Sequence, residues 1–271
     1  MKNINAKKVG RVIPNPPLRL GRPACPAQTG GLRITRPTLG LFLFLAVLTA
    51  LPFPAHAAEN PPARGGRVGW ARIITSSTAW RRHAESDPHL TQFIRSQTSL
   101  NIDPTWYSAD PDSIEQLTSY PLLYTNNLTD VVRPSHQQNL QEYLRRGGFI
   151  LVDACINPGI TPNPDAFLQQ HIALMKIIAP GAEVRELPKD HDVYRQYFTV
   201  ADTPPHTYMN DVFDRRWSHH GLYGVFESNG RMISLITLSG LQCSWSSHPE
   251  RAAATECMKM IVNIYVYAMT R

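Results

Sequence analysis

The chain has 271 residues, of which 27 are Lys or Arg and 21 are Asp or Glu, so its formal net charge is +6. Eight of these cations lie in residues 1–36, which hold no acid, and the remaining 19 cations and 21 acids give the rest a net charge of 19 − 21 = −2. A basic surface for nucleic acid or for an anionic membrane is therefore excluded, because the excess positive charge belongs to the N-terminal segment.

The first 57 residues have the three parts of a secretory signal peptide. The basic segment is followed by the apolar run 39–51 and by an Ala-His-Ala cleavage site at 55–57. The apolar run is shorter than the about 20 residues that a membrane-spanning helix needs. We therefore predict a signal peptide at 1–57, a linker at 58–67 and one domain at 68–271. We expect a periplasmic or secreted protein with no stable membrane span after cleavage.

Three cysteines follow the predicted cleavage site, namely Cys155, Cys243 and Cys257. An odd number in an exported protein leaves at least one thiol unpaired or paired between chains. Cys257 lies on the apolar face of the last predicted helix, where a buried structural thiol is expected. A disulfide between Cys155 and Cys243 stays open, since only a distance in three dimensions decides it.

Strand and helix patterns alternate along residues 68–271. Apolar runs predict strands at 68–77, 102–107, 121–127, 148–155, 222–227 and 231–239. Helices are predicted at 79–98 with a break near Pro88, after a cap at Asp110-Pro111, at 135–146, after Asn163-Pro164, and from near Pro249 onward. Asn229-Gly230 is the turn signal that joins the last two strands. This order predicts an α/β fold with a mostly parallel central sheet, helices on both faces, and a C-terminal hairpin and helix.

Polar side chains follow the predicted strands where each strand ends. The run Phe149–Val152 is apolar throughout, as a central parallel strand is, and Asp153 and Cys155 come directly after it. Ligands in open α/β sheets bind beyond the carboxyl ends of the strands. Further polar residues end the first and third strands, so we expect one crevice for a polar ligand, lined by Ser76, Thr125, Asn126, Asn127 and Asp153.

Several collinear segments resemble the DUF4159 family, a group of bacterial domains of unknown function. The segments include GRVGWARI, YPLLYTNN, LQEYLRRGGFILVDAC, ELPKDHDVY and LYGVFESNGRMISLITLSGLQCSW, and the resemblance covers about residues 66–271. It implies a class I glutamine amidotransferase-like, flavodoxin-like fold, and export. It also implies that Asp153 and the pair Asp190 and His191 match the family pattern, whereas Ala154 stands where a second acid often follows.

The candidate site residues each have a structural alternative. Cys155 is either a nucleophile after a strand or a structural thiol, and Asp153 is a general base, a metal ligand or a loop cap. His191 beside Asp190 is either a base or metal ligand, or a solvated turn residue. At most one of His219 and His220 faces a site, because neighbouring residues of an extended chain point in opposite directions.

Two functions follow from this pattern. The first is an exported domain that binds a small polar ligand or a cell-envelope protein partner at the strand ends. The second is a periplasmic hydrolase or amidotransferase-like enzyme that uses Cys155 or Asp153 with His191. A structural part of an envelope assembly is a third alternative. The sequence has neither HExxH nor CxxC, so no metal site is predicted, and it leaves the cofactor unknown.

Overall fold

A computed structural model of the protein describes residues 66–201, 204–205 and 221–271. The predicted signal peptide, nearly all of the predicted linker, and both His219 and His220 lie outside these described residues.

The described residues form one sheet of seven strands. The strands are β1 (Val68–Ile73), β2 (Ile102–Ala109), β3 (Leu122–Thr125), β4 (Phe149–Asp153), β5 (Glu183–Glu186), β6 (Leu222–Phe226) and β7 (Met232–Thr237). Their order across the sheet is β2-β1-β3-β4-β7-β6-β5. The first five of these are parallel neighbours, whereas β6 runs antiparallel between β7 and β5. The predicted mostly parallel sheet and the hairpin of β6 and β7 are confirmed, and β5 is an edge strand that the sequence did not predict.

Six α-helices accompany the sheet in the described ranges. They are α1 (Asp87–Gln97), α2 (Ile114–Thr118), α3 (Pro134–Arg145), α4 (Pro164–Ile178), α5 (Leu241–Ser247) and α6 (Ala252–Thr270). Within the part of the chain that the structure describes, no helix is both long and apolar enough to cross a membrane.

The two faces of the sheet pack against different helices, because successive side chains of a strand point to opposite faces. Trp70 and Leu151 pack with residues of α1 and α6, such as Ile94. Their neighbours Ala71 and Ile150 pack with residues of α3 and α4. Helices therefore cover both faces, and the expectation of an α/β layered fold is confirmed.

Two helix starts differ from the sequence prediction. Helix α1 begins at Asp87, so Pro88 lies in its first turn and does not break it. Proline is tolerated there, because the N–H it lacks has no partner within the helix. The residues before α1 form two short 3-10 helices, at 78–81 and 84–86. Helix α2 is capped by Ser113, whose hydroxyl accepts the N–H of Gln116, and not by Asp110.

Candidate ligand-binding site

Polar side chains cluster at the carboxyl ends of three neighbouring strands. These side chains lie on the face of the sheet that α1, α5 and α6 cover, because their neighbours along each strand point to the opposite face. The cluster comprises Arg72 of β1, Tyr124 and Asn126 at the end of β3, and Asp153 of β4; all four are buried. Sequence reasoning predicted that Asn126 and Asp153 would meet, and the Asn126 Nδ2 donates to the Asp153 carbonyl at 3.2 Å.

The Asp153 carboxylate caps helix α5. One of its oxygens accepts the N–H of Leu241 at 2.9 Å and the other accepts the N–H of Gln242 at 2.8 Å. Burial raises the pKa of the Asp153 carboxyl to about 7, although these two N–H groups act to lower it. Asp153 therefore has the capping role that was one of its alternatives, here for a helix that the sequence did not predict.

Gln242 connects the strand ends to the start of α1. Its Oε1 accepts hydrogen bonds from Tyr124 Oη at 2.9 Å and from Asn126 Nδ2 at 3.0 Å. Its Nε2 donates to the His83 carbonyl at 3.3 Å and to Asp87 Oδ1 at 3.4 Å. Both partners of Nε2 are acceptors, so the orientation of the Gln242 amide is fixed, and Oε1 must face Asn126.

A buried ion pair between Arg72 and Asp87 lies next to the hydrogen-bond network of Gln242. Arg72 donates to Asp87 from Nε at 2.6 Å and from a terminal nitrogen at 2.7 Å, and both side chains are 0% exposed. Another terminal nitrogen of Arg72 donates to the carbonyls of Trp80 and Arg82. The Arg72 side chain therefore holds the loop after β1 in place beside the strand ends.

A crevice of about 360 Å³ opens beside this cluster. We call it the strand-end crevice; it is lined by Ala79 and Arg82 after β1, Asn126 and Asn127 after β3, loop residues 159–163, and Ala166, Phe167 and Gln170 of α4. Arg82 is the only charged side chain among the described residues that line it. No ion pair joins the Arg82 guanidinium to an acid of the described ranges.

Asn126 lines the strand-end crevice and carries a buried acceptor that is unused. Its side chain is 4% exposed, and its Oδ1 accepts no hydrogen bond from any described group. The amide cannot be turned over to relieve this, because Nδ2 donates to the Asp153 carbonyl and to Gln242 Oε1, and both are acceptors. A buried acceptor without a donor costs about 1–3 kcal/mol. Nδ2 faces the network, so Oδ1 is the one polar atom of this crevice-lining side chain without a partner among the described groups, and it is itself closed to solvent.

The thiol of Cys155 lies just beyond Asp153, close to a second cysteine. Cys243 Sγ, in α5, donates to Cys155 Sγ at 3.8 Å, and both cysteines are buried with free thiols. That contact, together with hydrogen bonding and charge from His83 and the N–H of Asn157, lowers the pKa of Cys155 below that of an ordinary thiol. Hydrogen bonding to Cys155 and burial raise the pKa of Cys243.

His83 is a site residue that sequence reasoning missed. Its φ is +57°, and it is the only residue other than glycine with a positive φ in the described ranges. Its carbonyl accepts hydrogen bonds from Ser86 N at 3.0 Å, Ser86 Oγ at 2.6 Å and Gln242 Nε2 at 3.3 Å, which hold this conformation. Strained backbone of this kind is concentrated at functional sites. His83 and Cys155 are far apart in the sequence, so no local sequence pattern predicts that His83 belongs to the site.

The other residues predicted for the crevice are placed as follows. Asn127 lines it and also caps a short 3-10 helix, since its Oδ1 accepts the N–H of Thr129 at 3.0 Å. Thr125 is buried on the opposite face, where its hydroxyl accepts the N–H of Asn127. Ser76 is exposed in the loop after β1 and is not part of the crevice wall.

His191 and Asp190 lie away from the strand ends. The His191 ring packs against Phe226 and Tyr267, with ring centroids 6.4 and 5.9 Å away. Phe226 is at the end of β6 opposite to Leu222, and Leu222 is the residue paired with Thr237 beside Asp153. Four residues of strand correspond to about 13 Å. The structure thus brings Cys155 and Asp153 together with His83 and not with His191.

Two other features could be taken for sites. Ligand atoms of Asp110, Asp112 and His136 lie within 4.8 Å of one another, but Asp112 is already paired with Arg133 at 2.9 Å. A second cavity of about 610 Å³ lies between the ends of α3 and α4 and the turn of the hairpin. Its carboxylates are also paired, Glu142 with Arg145 and Glu227 with Arg231. In the first feature His136 Nε2 is also paired with Asp112, at 2.8 Å, and the buried Nδ1 of His136 has no partner among the described residues.

The comparisons with known proteins agree with the segments identified in the sequence. No curated protein matches the chain. The sequence model of the family described as "Domain of unknown function (DUF4159)" matches residues 70–269, which include every strand but the first residues of β1. The chain therefore belongs to the DUF4159 family.

Proposed function

We propose that this protein is an exported domain that binds a small polar ligand in the strand-end crevice. The observation that supports the proposal is the unused acceptor of Asn126, since a ligand with an N–H or O–H group would supply the missing donor. Export rests on the predicted signal peptide at 1–57. Its test is N-terminal sequencing of the secreted protein, which should begin at Ala58.

Arg82 defines the second part of the ligand. It brings a positive charge to a crevice whose other described lining residues are uncharged. A guanidinium is suited to a carboxylate, which it binds through paired hydrogen bonds. The proposed ligand therefore combines a carboxylate with a hydrogen-bond donor, as α-hydroxy and α-amino acids do. We assign Asn126, Asn127 and Arg82 to binding.

The size of the crevice favours a small molecule over a protein partner. Its volume is about 360 Å³. This lies at the small end of the range of ligand pockets. A protein partner would bury far more surface than this concavity provides.

The test uses the full chain and a panel of small probes. Glycolate and glycine carry both groups, whereas acetate lacks the donor and glycinamide lacks the carboxylate. We expect glycolate or glycine to bind more tightly than acetate and glycinamide by isothermal titration calorimetry. Gln170→Trp should abolish binding by filling the crevice, because Gln170 is exposed and lines it. Gln169→Trp is the matched control, since Gln169 is an exposed neighbour outside the lining.

A second pair of variants tests the charge. Arg82→Gln should weaken the binding of glycolate and glycine about tenfold or more, because a charge-assisted hydrogen bond is lost, and should leave the binding of glycinamide unchanged. Arg81→Gln should change neither, because the Arg81 guanidinium lies over the Trp80 ring, 5.2 Å from its centroid, and does not line the crevice. Equal binding by the Gln170→Trp and Gln169→Trp variants would refute the proposed location.

The second candidate function is a hydrolase or amidotransferase-like enzyme that uses Cys155. Asp153 would then support the catalytic loop through its cap of α5, and His83 would take the role that the sequence assigned to His191. The lowered pKa of Cys155 beside His83 favours this candidate. His83→Asn should slow alkylation of Cys155 by iodoacetamide at pH 7, because asparagine tolerates the left-handed backbone but removes the imidazole. His191→Asn is the control and should leave the rate unchanged; equal rates in both variants would exclude His83.

A further inference from the structure

Cys155 and Cys243 form a pair of thiols that are close but unbonded. Their sulfur atoms are 3.8 Å apart, and a disulfide bond measures about 2.05 Å. The sulfurs would thus have to approach by about 1.8 Å for a disulfide to form. The third described cysteine, Cys257, is separate from this pair and accepts a hydrogen bond from Ser244 Oγ at 3.3 Å.

The two thiols are not equivalent. Cys243 donates its S–H to Cys155, so the Cys155 sulfur is the acceptor and the better site for negative charge. His83 and the N–H of Asn157 also favour that charge, since both act to lower the pKa of Cys155. Cys243, in contrast, is buried close to Asp153, which disfavours its thiolate. Cys155 is therefore the thiol that would react first with an oxidant, and Cys243 is the thiol that would react second.

Access restricts the oxidant to a small molecule. Cys155 is 3% exposed and Cys243 is 7% exposed. A disulfide such as oxidised glutathione must bring one of its sulfurs in line with the attacking thiolate, which a buried thiol does not permit. Hydrogen peroxide is scarcely larger than water and meets no such limit.

We propose that Cys155 and Cys243 form a peroxide-sensitive dithiol site, with Cys155 as the attacking and Cys243 as the resolving residue. The Cys155 thiolate attacks one oxygen of hydrogen peroxide, the O–O bond breaks, and hydroxide leaves; Cys155 becomes a sulfenic acid. The Cys243 sulfur then attacks the Cys155 sulfur, a disulfide forms, and the hydroxyl leaves as water with the Cys243 proton. Two thiols are oxidised and one peroxide is reduced to two waters, once the first hydroxide is protonated.

The test uses the full chain with Cys25→Ser, so that three cysteines remain. Hydrogen peroxide should join Cys155 to Cys243 and leave Cys257 as a thiol, as peptide mapping by mass spectrometry would show. Cys243→Ser should stop at a sulfenic acid on Cys155 that dimedone traps. Cys155→Ser should lower the rate of thiol loss about tenfold or more, because the activated thiolate is gone. Cys257→Ser is the matched control and should form the same disulfide as the parent.

Three results would overturn the proposal. One is a folded parent chain whose Cys155 and Cys243 stay reduced in peroxide until urea unfolds it. Another is thiol loss in Cys155→Ser at the rate of the parent. The third is reaction with oxidised glutathione as fast as with peroxide, each relative to free cysteine. Peptide mapping of the disulfide in the parent chain tests the proposal even if a variant does not fold.

Discussion

The buried ion pair of Arg72 and Asp87 offers the sharpest test of how the site is held together. Asp87→Asn keeps the shape of the side chain but removes its charge. The Arg72 guanidinium then stays buried without a counter-ion, and the amide of the new residue turns a donor toward another donor. Removing one partner of a buried pair costs about 3–5 kcal/mol. At about 2–4 °C per kcal/mol for a domain of this size, the midpoint of thermal unfolding should fall by roughly 6–20 °C.

The assays are thermal unfolding, which gives the midpoint, and urea unfolding, which gives the free energy, both monitored by circular dichroism on the full chain. The matched control is Glu142→Gln, which neutralises an acid that also makes paired hydrogen bonds to an arginine, Arg145, at 2.6 Å each. That pair lies at the surface, where water and salt screen it, so the control should unfold close to the wild type.

A second comparison separates charge from packing. The double variant Arg72→Met, Asp87→Leu should recover most of the stability that Asp87→Asn loses, because no charge remains buried. A loss below about 1 kcal/mol in Asp87→Asn would refute the reasoning, since such a value belongs to exposed pairs.

The remaining predictions concern stability as well. Burial lowers the pKa of His171 to about 4, so between about pH 4 and 6.5 the unfolded chain binds a proton that the folded chain does not. Acid should therefore destabilise the fold by up to about 3 kcal/mol through this residue, and His171→Gln should remove that loss in urea unfolding at a series of pH values. An unchanged pH profile in the variant would contradict the prediction. Asp153 should change stability with pH in the opposite direction, because its pKa of about 7 makes the folded chain the better proton binder between about pH 4 and 7. The free energy of unfolding should fall as pH rises through this window, by at most about 4 kcal/mol, and Asp153→Asn should lack this pH dependence. Gly240→Ala should cost about 2–4 kcal/mol, because φ is +62° and a Cβ would lie 2.5 Å from Ile156 Cγ2. Gly230→Ala, with φ +85° and no atom within 4 Å, should cost only about 1–2 kcal/mol, and equal losses would show that Ile156 does not restrict the site.

The sequence predicted the layered fold because its signals are local. Apolar runs such as Phe149–Val152 and the turn at Asn229-Gly230 specify strands and a hairpin without knowledge of distant contacts. The parallel order then brings the strand ends to one edge, and this rule was enough to bring Asn126 next to Asp153.

The partners of these residues could not be predicted in the same way. Helix α5 has seven residues, too few for a clear helical period, and its start depends on a left-handed Gly240. Gln242 is 116 residues from Asn126 and 159 residues from His83 along the chain, yet it is hydrogen-bonded to both. His191 matched a family pattern in sequence, but the turn that follows β5 carries it along the sheet toward Phe226.

The sequence pattern also did not reveal that a charged residue, Arg72, is buried in the sheet. Arg72 occupies an inward position of a central strand, between Ala71 and Ile73, where a sequence pattern calls for an apolar residue. Its partner, Asp87, looks like an ordinary helix start. Only the three-dimensional pairing shows that both are part of the support of the strand-end crevice.

The side-chain amide of Asn126 is the most direct reporter of ligand binding in the strand-end crevice. In a two-dimensional NMR spectrum of the labelled full chain, assigned with an Asn126→Asp variant, its signal should shift when glycolate or glycine is added. Acetate at the same concentration should shift it less, since acetate has no donor for Oδ1. Saturable binding of glycolate that leaves the Asn126 signal in place and moves signals around the second cavity would contradict the proposed site.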